Sequence, residues 1–416
     1  MIGKLTTQLK TNKFLFFLGI GLLLIGSLYL RLIIFNEEGG DHPIYKRAVV
    51  EFSEGKNPYI YTIESYENKD LDRGYAYPPT ILYILTLGYA FNKVTNADIA
   101  TAILWKVPVL LADLGIAFLL LKYFYSKNRP WLGLLGSGIW LINPYFLIRY
   151  EYTLLDPFQI LFLFLALWFL GKRETWAGVF YALAVSTKIV PIILFPIFFL
   201  KSKNKKLLLL SMAGVFLLIS LPFFRSIQDL IYYIQGSFLV HGERFIQGRP
   251  VLSYVSYHLQ KWGISFYQEE FPGVYSKLAL LVGPLVSTYL LIKKRIINKY
   301  ALTTISFGLY FLLTPVFNRT HCLWILPFLI INLFEWFKDK KFLYLGSLAL
   351  VYLLLSSYLF FWDKGLKPPS EEHENIWIGE DSRDVSYDFR IIHILKTKFY
   401  EYRGKYYIIS GQKEKL

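Results

Sequence analysis

The sequence has 416 residues, of which 55% are hydrophobic and 18% are charged, and its formal net charge is +15. Apolar runs long enough to cross a bilayer exclude an ordinary water-soluble domain and predict a multi-span membrane protein. The basic residues stand in short clusters between these runs, which is typical of cytoplasmic loops rather than of a nucleic-acid-binding surface. Cys322 is the only cysteine, so we expect neither a disulfide framework nor a thiolate metal site.

The first apolar run, residues 14–35, follows Lys4, Lys10 and Lys13. It is longer than the apolar core of a signal peptide, and no small-x-small cleavage site follows before Asp41. We therefore predict an uncleaved first helix with a cytoplasmic N-terminus. The whole chain is predicted to be all-α, with roughly twelve hydrophobic segments: 13–35, 79–93, 97–122, 131–149, 157–171, 174–187, 189–200, 206–224, 275–292, 299–315, 322–337 and 341–361.

The basic clusters also predict which polar segments lie on the outer face of the membrane. If the clusters are cytoplasmic, the outer segments are 36–78, 225–274 and 363–416. Any active site then faces outward, where nucleotide sugars are absent and a group-transfer enzyme needs a lipid-linked donor. We divide the chain into a membrane domain, residues 1–362, and a small extramembrane C-terminal region.

One conflict remains in this topology. Residues 79–122 contain two apolar segments, yet they must cross the membrane an odd number of times to join an outer loop to a cytoplasmic cluster. Pro78–Pro79 and Pro108 predict that one of the two segments is broken or does not cross fully.

The first outer loop contains an acid, Asp41, immediately before a short helical pattern. Pro43 suits a first helical position, and Gly55 ends the pattern. The apolar residues between them fall on one face, which predicts an amphipathic helix lying along the outer membrane surface. Asp41 or its neighbour His42 could cap this helix, or Asp41 could take part in catalysis.

Four charged positions lie within or beside apolar segments, where a charge costs about 2.5–3.5 kcal/mol. Asp113 is interpreted as the partner of a Lys or Arg on a neighbouring helix. Asp156 precedes Pro157 and is either a helix cap or a site residue. Lys188 precedes Pro191, where two short helices meet; its ammonium points into the protein, toward a phosphate, or to the nearer interface. Arg319 and His321 form the fourth group, in which His321 is either a helix-end residue or part of a site.

The second outer loop carries His241, Arg244 and Arg249 among glycines and aromatic residues. This segment is either a solvated loop or a cationic pocket for phosphate, since guanidinium groups bind phosphate oxygens bidentately.

Several short motifs between about Arg31 and Phe337 carry a resemblance to a known family. In chain order they are Asp41 with Tyr45, Gly55–Lys56–Asn57–Pro58–Tyr59, Tyr75–Ala76–Tyr77–Pro78–Pro79, Lys106–Val107–Pro108–Val109–Leu110–Leu111–Ala112–Asp113–Leu114, Asn143–Pro144 with Asp156, Ala184–Val185–Ser186–Thr187–Lys188–Ile189–Val190–Pro191, and His321–Cys322–Leu323–Trp324–Ile325–Leu326–Pro327. In type and order they resemble motifs of the polyprenol-phosphate-dependent glycosyltransferases of the GT-C superfamily, in particular glycosyltransferase family 87 and GPI mannosyltransferase I.

The sequence departs from these families at two places. GPI mannosyltransferase I carries D-x-D in its first loop, whereas this loop reads Asp41–His42–Pro43, and Asp70–Leu71–Asp72 comes too late in the loop to match. This departure favours an enzyme that needs neither a metal nor another cofactor. A requirement for a divalent metal stays open as the alternative. The G-Q-x-D often found in family 87 is also absent, because Leu154–Leu155 precede Asp156.

The resemblance implies a GT-C-like bundle of about 11–12 transmembrane helices in the cell membrane. It implies inverting transfer of a hexose, most often mannose, from a polyprenyl- or dolichyl-phosphate donor to a glycolipid or glycan acceptor. Asp41 is the expected base, and a phosphate leaving group needs cations rather than an acid. The expected substrate-binding residues are Tyr45, Tyr77, Asp156, Lys188, His241, Arg244, Arg249, Arg319 and His321, with no metal ligand.

Three alternatives stay open. An O-antigen-ligase-like enzyme would have a long outer loop with Arg and His but needs no early Asp. A lipid or glycolipid transporter would have intramembrane charges, but such proteins usually carry internal repeats, and no matching halves are visible here. A structural or assembly subunit would tolerate loss of every ionisable residue named above.

Overall fold

The computed structural model describes residues 13–32, 35, 41–68, 74–97, 99–143, 155–243, 247–248, 250–251, 271–317 and 319–336. The predicted segment 341–361 and the C-terminal region 363–416 lie outside the described residues. So do Arg244, Arg249 and the D-x-D at Asp70, while Arg319 is described only by its backbone.

The described chain is mostly helical. Its α-helices are α1 Lys13–Leu32, α2 His42–Ser53, α3 Tyr59–Glu67, α4 Pro79–Thr95, α5 Thr101–Tyr125, α6 Pro130–Ile142, α7 Asp156–Phe169, α8 Glu174–Thr187, α9 Phe195–Lys201, α10 Lys205–Ser220, α11 Ile227–Ile234, α12 Phe271–Ile292, α13 Lys299–Leu313 and α14 Cys322–Trp336. Short 3₁₀ turns cover Val190–Leu194, Leu221–Phe223, Val240–Glu243 and Arg319–His321, and a π turn covers Gln235–Leu239.

Four of these helices are long and apolar enough to cross a membrane. They are Lys13–Leu32, Thr101–Tyr125, Lys205–Phe223 and Val274–Ile292, and several shorter apolar helices accompany them. The apolar faces of α1, α10 and α12 are largely exposed, as expected of surfaces that contact lipid. The prediction of a helical membrane protein is confirmed at this level.

The all-α prediction needs one small correction. Two residues of the second outer loop, Gln247–Gly248 (β1), pair in parallel with Val316–Phe317 (β2). The apolar periodicity gave no sign of this pairing, since each strand is only two residues long. It brings Gln247–Gly248 beside the chain that leads into the Arg319–His321 turn.

Two clusters of buried side chains form the core. The larger joins α5–α8 to α9, α10, α13 and α14, and it is rich in Leu, Ile and Phe. The smaller lies under α2 and the first turns of α4, and it is rich in aromatic residues such as Tyr45, Tyr59 and Tyr75. The smaller cluster supports the segment from α2 to the start of α4.

The predicted short amphipathic helix is present as α2, while its place along the outer membrane surface stays a prediction. Tyr45, Ala48 and Val49 are buried on one face, and Gly55 follows the helix with φ +80°, a value that glycine adopts without strain. The alternation of apolar and charged residues at helical spacing therefore predicted both the helix and its buried face.

Helix α2 packs against α4, and both ends of α2 have contacts in this part of the chain. The rings of Phe52 and Tyr83 are 5.5 Å apart at one end. At the other end, His42 Nε2 is 3.3 Å from Oγ1 of Thr101, which begins α5 just after α4. Pro108 lies inside α5 without interrupting it, so the segment 97–122 is not broken there; that one of the two segments does not cross fully stays a prediction.

The predicted partner of Asp113 is Arg31, on α1. The two side chains form a fully buried ion pair with Arg31 Nη2 3.2 Å from Asp113 Oδ2. Arg31 also donates hydrogen bonds to the carbonyls of Ser27 and Leu141. This pair attaches α1, which otherwise exposes most of its surface, to α5 and α6.

Candidate active site

Asp41 occupies the cap position of α2, but its side chain makes no capping hydrogen bond. Instead, its Oδ2 accepts hydrogen bonds from two phenols, Tyr45 at 3.3 Å and Tyr77 at 3.0 Å. Tyr45 is one helical turn further along α2, so helical geometry brings it to Asp41. The alternative in which the Asp41 carboxylate caps the helix is therefore wrong.

Tyr77 is held in place by the extended chain between α3 and α4. The Tyr59 hydroxyl donates to the Tyr77 carbonyl at 2.8 Å, and the Thr62 hydroxyl donates to the Tyr75 carbonyl at 2.9 Å. This chain approaches α3 so closely that a Cβ on Gly74 would lie 2.3 Å from the Cα of Thr62. A glycine is therefore required there for steric reasons.

The two phenols that contact Asp41 are neutral donors. Burial raises the pKa of the Tyr45 hydroxyl well above its usual value, and the neighbouring Tyr77 and Asp41 raise it further. Tyr45 therefore stays protonated at physiological pH, and its hydroxyl donates a hydrogen bond to the carboxylate. Both donors reach Oδ2, which leaves Oδ1 of Asp41 without a hydrogen-bond partner among the described residues.

Asp156 begins α7 and is almost fully buried. Its Oδ1 accepts hydrogen bonds from Lys188 Nζ at 2.8 Å and from the indole nitrogen of Trp324 at 2.7 Å. Leu155 stands at the cap position of α7, so the alternative in which Asp156 caps the helix is wrong. Lys188 points into the protein rather than to an interface, because its ammonium is paired with Asp156.

Lys188 lies where the sequence predicts that two short helices meet. Helix α8 ends at Thr187, Lys188 has an extended backbone, and a 3₁₀ turn begins at Val190 with Pro191 in its first positions. Proline cannot continue the helix of the preceding residues, so the chain changes direction at Lys188. This change directs the long side chain across to α7.

A small cavity separates the two carboxylates. It is lined by Tyr45, Tyr77, Ile81, Leu155, Asp156, Thr187 and Lys188. Its volume is about 20 Å³, which is room for little more than one water molecule. Tyr77 joins the two sides, since its hydroxyl contacts Asp41 and its ring centroid is 5.6 Å from Lys188 Nζ.

His321 extends the Asp156 side of the site. It ends the short turn before α14, and its ring centroid is 4.2 Å from that of Trp324. It also lies close enough to attract the Asp156 carboxylate electrostatically. Lys188, His321 and Trp324 therefore surround one buried acid.

The remaining predicted residues are not all brought to this cavity. His241 lies in the Val240–Glu243 turn, which packs against α12, and it does not line the cavity. Arg244, Arg249 and the side chain of Arg319 lie outside the described residues. Their predicted role in binding phosphate stays a prediction.

Sequence reasoning did not assign a site role to Trp324, Thr187 or Leu155. The signal for Trp324 was available, because a buried indole N–H needs an acceptor and a buried acid needs donors. Nothing in the sequence alone pairs these two residues, which are 168 positions apart.

A second, larger cavity lies behind Lys188. Its volume is about 490 Å³ and its lining is almost entirely apolar. The lining comes from α8, the turn after Lys188, α9, α10 and α12: Tyr181, Val185, Ile192, Ile193, Phe195, Pro196, Met212, Phe216, Leu280 and Pro284.

Within the described residues, no group of three or more His, Cys, Asp or Glu side chains could hold a metal ion. In comparisons with known proteins, the chain matches no family model and no curated protein. The features that bear on function are therefore Asp41, Asp156, Lys188 and the two cavities.

Proposed function

We propose that this protein is a membrane glycosyltransferase of the GT-C type that uses a prenyl-phosphate-linked sugar. It transfers a hexose, in our proposal mannose, to a hydroxyl group of a glycolipid or glycan acceptor at the outer face of the membrane. The single observation that carries the proposal is a pair of unlike carboxylates joined by one cavity: Asp156 lines it, and Asp41 accepts hydrogen bonds from two tyrosines that line it. Asp156 is neutralised by Lys188, whereas the Asp41 carboxylate accepts hydrogen bonds from phenols alone among the described residues.

The unlike carboxylates match the two needs of the reaction. The acceptor oxygen attacks the anomeric carbon, its proton passes to Asp41, and the bond from that carbon to the phosphate oxygen breaks. The phosphate leaves with the electron pair as prenyl phosphate, and attack from the opposite side inverts the anomeric configuration. A base must keep its negative charge and an open oxygen, which describes Asp41.

The leaving phosphate needs a cation, and Lys188 supplies it in the proposal. Asp156 and Trp324 hold Lys188 in place before the donor binds. The donor phosphate then competes with Asp156 for the ammonium group. Because the cavity between the carboxylates holds little more than one water, the cavity must open when the sugar enters.

The larger apolar cavity suits the prenyl chain of such a donor. Its lining residues Val185 and Ile192 stand three residues before and four residues after Lys188. A lipid whose phosphate contacts Lys188 could therefore place its chain between α8, α10 and α12. An apolar chain gains free energy from leaving water in proportion to the area it buries.

The proposed topology follows from α2 and α4. If α2 lies along the outer membrane surface, the proposal places α4 there too, because α2 packs against it. Only α5 then crosses between the first outer loop and the cytoplasmic cluster that begins at Lys122. The odd number of crossings that the charge pattern requires is thereby restored.

The proposal can be tested in cells with mass spectrometry of lipid-linked glycans. Deletion of the gene and Asp41→Asn should each remove one hexose from a glycan, since the amide keeps the hydrogen bonds but cannot accept a proton. Glu54→Gln is the matched control, because Glu54 is an exposed carboxylate of the same loop that pairs with Lys56.

The proposed function and the proposed role of Asp41 as the base are refuted by different outcomes of this experiment. Unchanged glycans on gene deletion would refute the proposed function. A change on deletion but not in Asp41→Asn would refute Asp41 as the base.

A further inference from the structure

Four lysines gather at the end of the helical bundle opposite the cavity that contains Asp156. Lys122 lies in the last turn of α5, Lys172 follows α7, Lys201 ends α9 and Lys299 begins α13. We call these four residues the lysine cluster. Helix α7 has 14 residues and separates the cluster from Asp156 by about 21 Å along its axis.

The lysine cluster surrounds the C-terminal end of α7. Lys172 Nζ lies 4.8 Å and Lys122 Nζ 5.7 Å from the ring centroid of Trp168, on α7. Lys299 donates a hydrogen bond to the Leu170 carbonyl at 3.1 Å. Lys172 and Lys201 are both close enough to repel the charge of Lys299. The helix end and the aromatic ring therefore hold the ammonium groups together.

The charges of the lysine cluster are only partly compensated within the described part of the chain. None of the four lysines forms an ion pair there. Glu174 is nearby and attracts Lys299, but its Oε1 accepts hydrogen bonds from the backbone N–H groups of Gly171 and Lys203. Four ammonium groups near one carboxylate leave an excess of positive charge, so an anion bound among them is stabilised.

We propose that the lysine cluster binds the phosphate of an anionic phospholipid headgroup in the membrane leaflet at this end of the bundle. Basic pockets between helix ends are suited to such headgroups, and Trp168 gives an aromatic contact at the same level. The cluster favours a lipid over a free phosphate because apolar side chains continue from it. Phe118 and Leu200 are exposed next to Lys122 and Lys201, where acyl chains would lie.

This site is independent of the proposed glycosyl transfer, and binding alone tests it. The purified full-length protein is titrated with phosphatidylglycerol, with phosphatidylcholine and with inorganic phosphate, and bound lipid is counted by native mass spectrometry. The test variant carries Lys172→Gln, Lys201→Gln and Lys299→Gln. A second variant has Arg at the same positions and keeps the charge.

The matched control removes three lysines from the other end of the molecule, Lys46→Gln, Lys56→Gln and Lys93→Gln. We expect the wild type, the Arg variant and the control to prefer phosphatidylglycerol over phosphatidylcholine. The Gln variant should bind phosphatidylglycerol roughly a hundredfold more weakly, at roughly fivefold per lysine. If it does not fold, Lys172→Gln alone, on an exposed side chain, should weaken binding by roughly fivefold.

Two results would overturn the proposal. Equal losses in the Gln variant and the control, or no preference for the anionic lipid, would mean that these lysines only orient the protein in the membrane. Displacement of phosphatidylglycerol by equimolar inorganic phosphate would mean that the site takes a free anion rather than a lipid.

Discussion

The two carboxylates of the candidate site are held by different kinds of donor. Asp41 accepts hydrogen bonds from two tyrosines and is partly exposed at the start of α2. Asp156 accepts from a lysine and a tryptophan and is buried at the start of an apolar helix. Neutral donors position a charge without cancelling it, whereas an ammonium group cancels it.

This difference indicates that the fold requires Asp156, whereas Asp41 is available for chemistry. A buried charge needs a partner, so Asp156 and Lys188 depend on each other for stability. Asp41 is half-exposed, and its partners are neutral phenols, so their stability does not depend on the charge of Asp41. We therefore expect substitutions around Asp156 to lower the stability of the fold more than substitutions around Asp41.

The largest stability difference is expected for Lys188→Met. Removing the ammonium leaves the buried Asp156 charge without its ion-pair partner, at a cost of about 3 kcal/mol in the free energy of unfolding. Asp41→Asn should change this free energy by less than about 1 kcal/mol. Thermal unfolding of both purified variants in detergent measures the difference. If Asp41→Asn is the more destabilising change, the proposed division between the two acids is wrong.

A smaller effect is expected for Trp324→Phe, which removes one hydrogen bond to the Asp156 carboxylate. A hydrogen bond to a charged group contributes about 2 kcal/mol. Trp140→Phe is the matched control, since the Trp140 indole donates instead to the neutral carbonyl of Asp113.

Adding Asp156→Asn distinguishes the Trp324 contact from simple loss of packing. If the Trp324 effect persists at full size in the Asp156→Asn background, the indole acts through packing and not through the carboxylate. The same double-mutant comparison gives the interaction energy of the pair directly.

The smallest effects are expected on the Asp41 side. Tyr77→Phe should lower stability by about 1 kcal/mol, and Tyr45→Phe by less, because the Tyr45 bond is longer. Transfer activity should fall by roughly tenfold in Tyr77→Phe, since the carboxylate loses its orientation. Tyr75→Phe is a control, because that hydroxyl donates to the Pro78 carbonyl and not to Asp41. Equal activity losses in Tyr75→Phe and Tyr77→Phe would contradict a specific role for Tyr77.

Much of the helical fold could be predicted from the sequence, because long apolar runs and helical spacing are local signals. Helix α2 and the turn at Lys188 are examples, with Pro43 and Pro191 at the expected positions. The way α4 lies beside α2 could not be predicted. It depends on contacts such as Phe52 with Tyr83, which no local pattern encodes.

The site could be predicted only in part. A charge in an apolar segment is a local anomaly, so Asp156 and Lys188 could be singled out, but their mutual contact could not. Trp324 was missed as a site residue because a tryptophan in an apolar run is unremarkable until its buried N–H is seen to face an acid. Tyr45 and Tyr77 entered through the family resemblance, and their shared contact with one oxygen of Asp41 depends on the path of the loop.

The most direct measurement of the central claim uses the purified protein, a polyprenyl-phosphate mannose donor and a hydroxyl acceptor, with transfer followed by mass spectrometry. The account predicts that the wild type transfers mannose with inversion. It predicts that Asp41→Asn remains folded and loses activity by about a thousandfold, the size expected for loss of a general base. Transfer by Asp41→Asn at the wild-type rate would contradict the account.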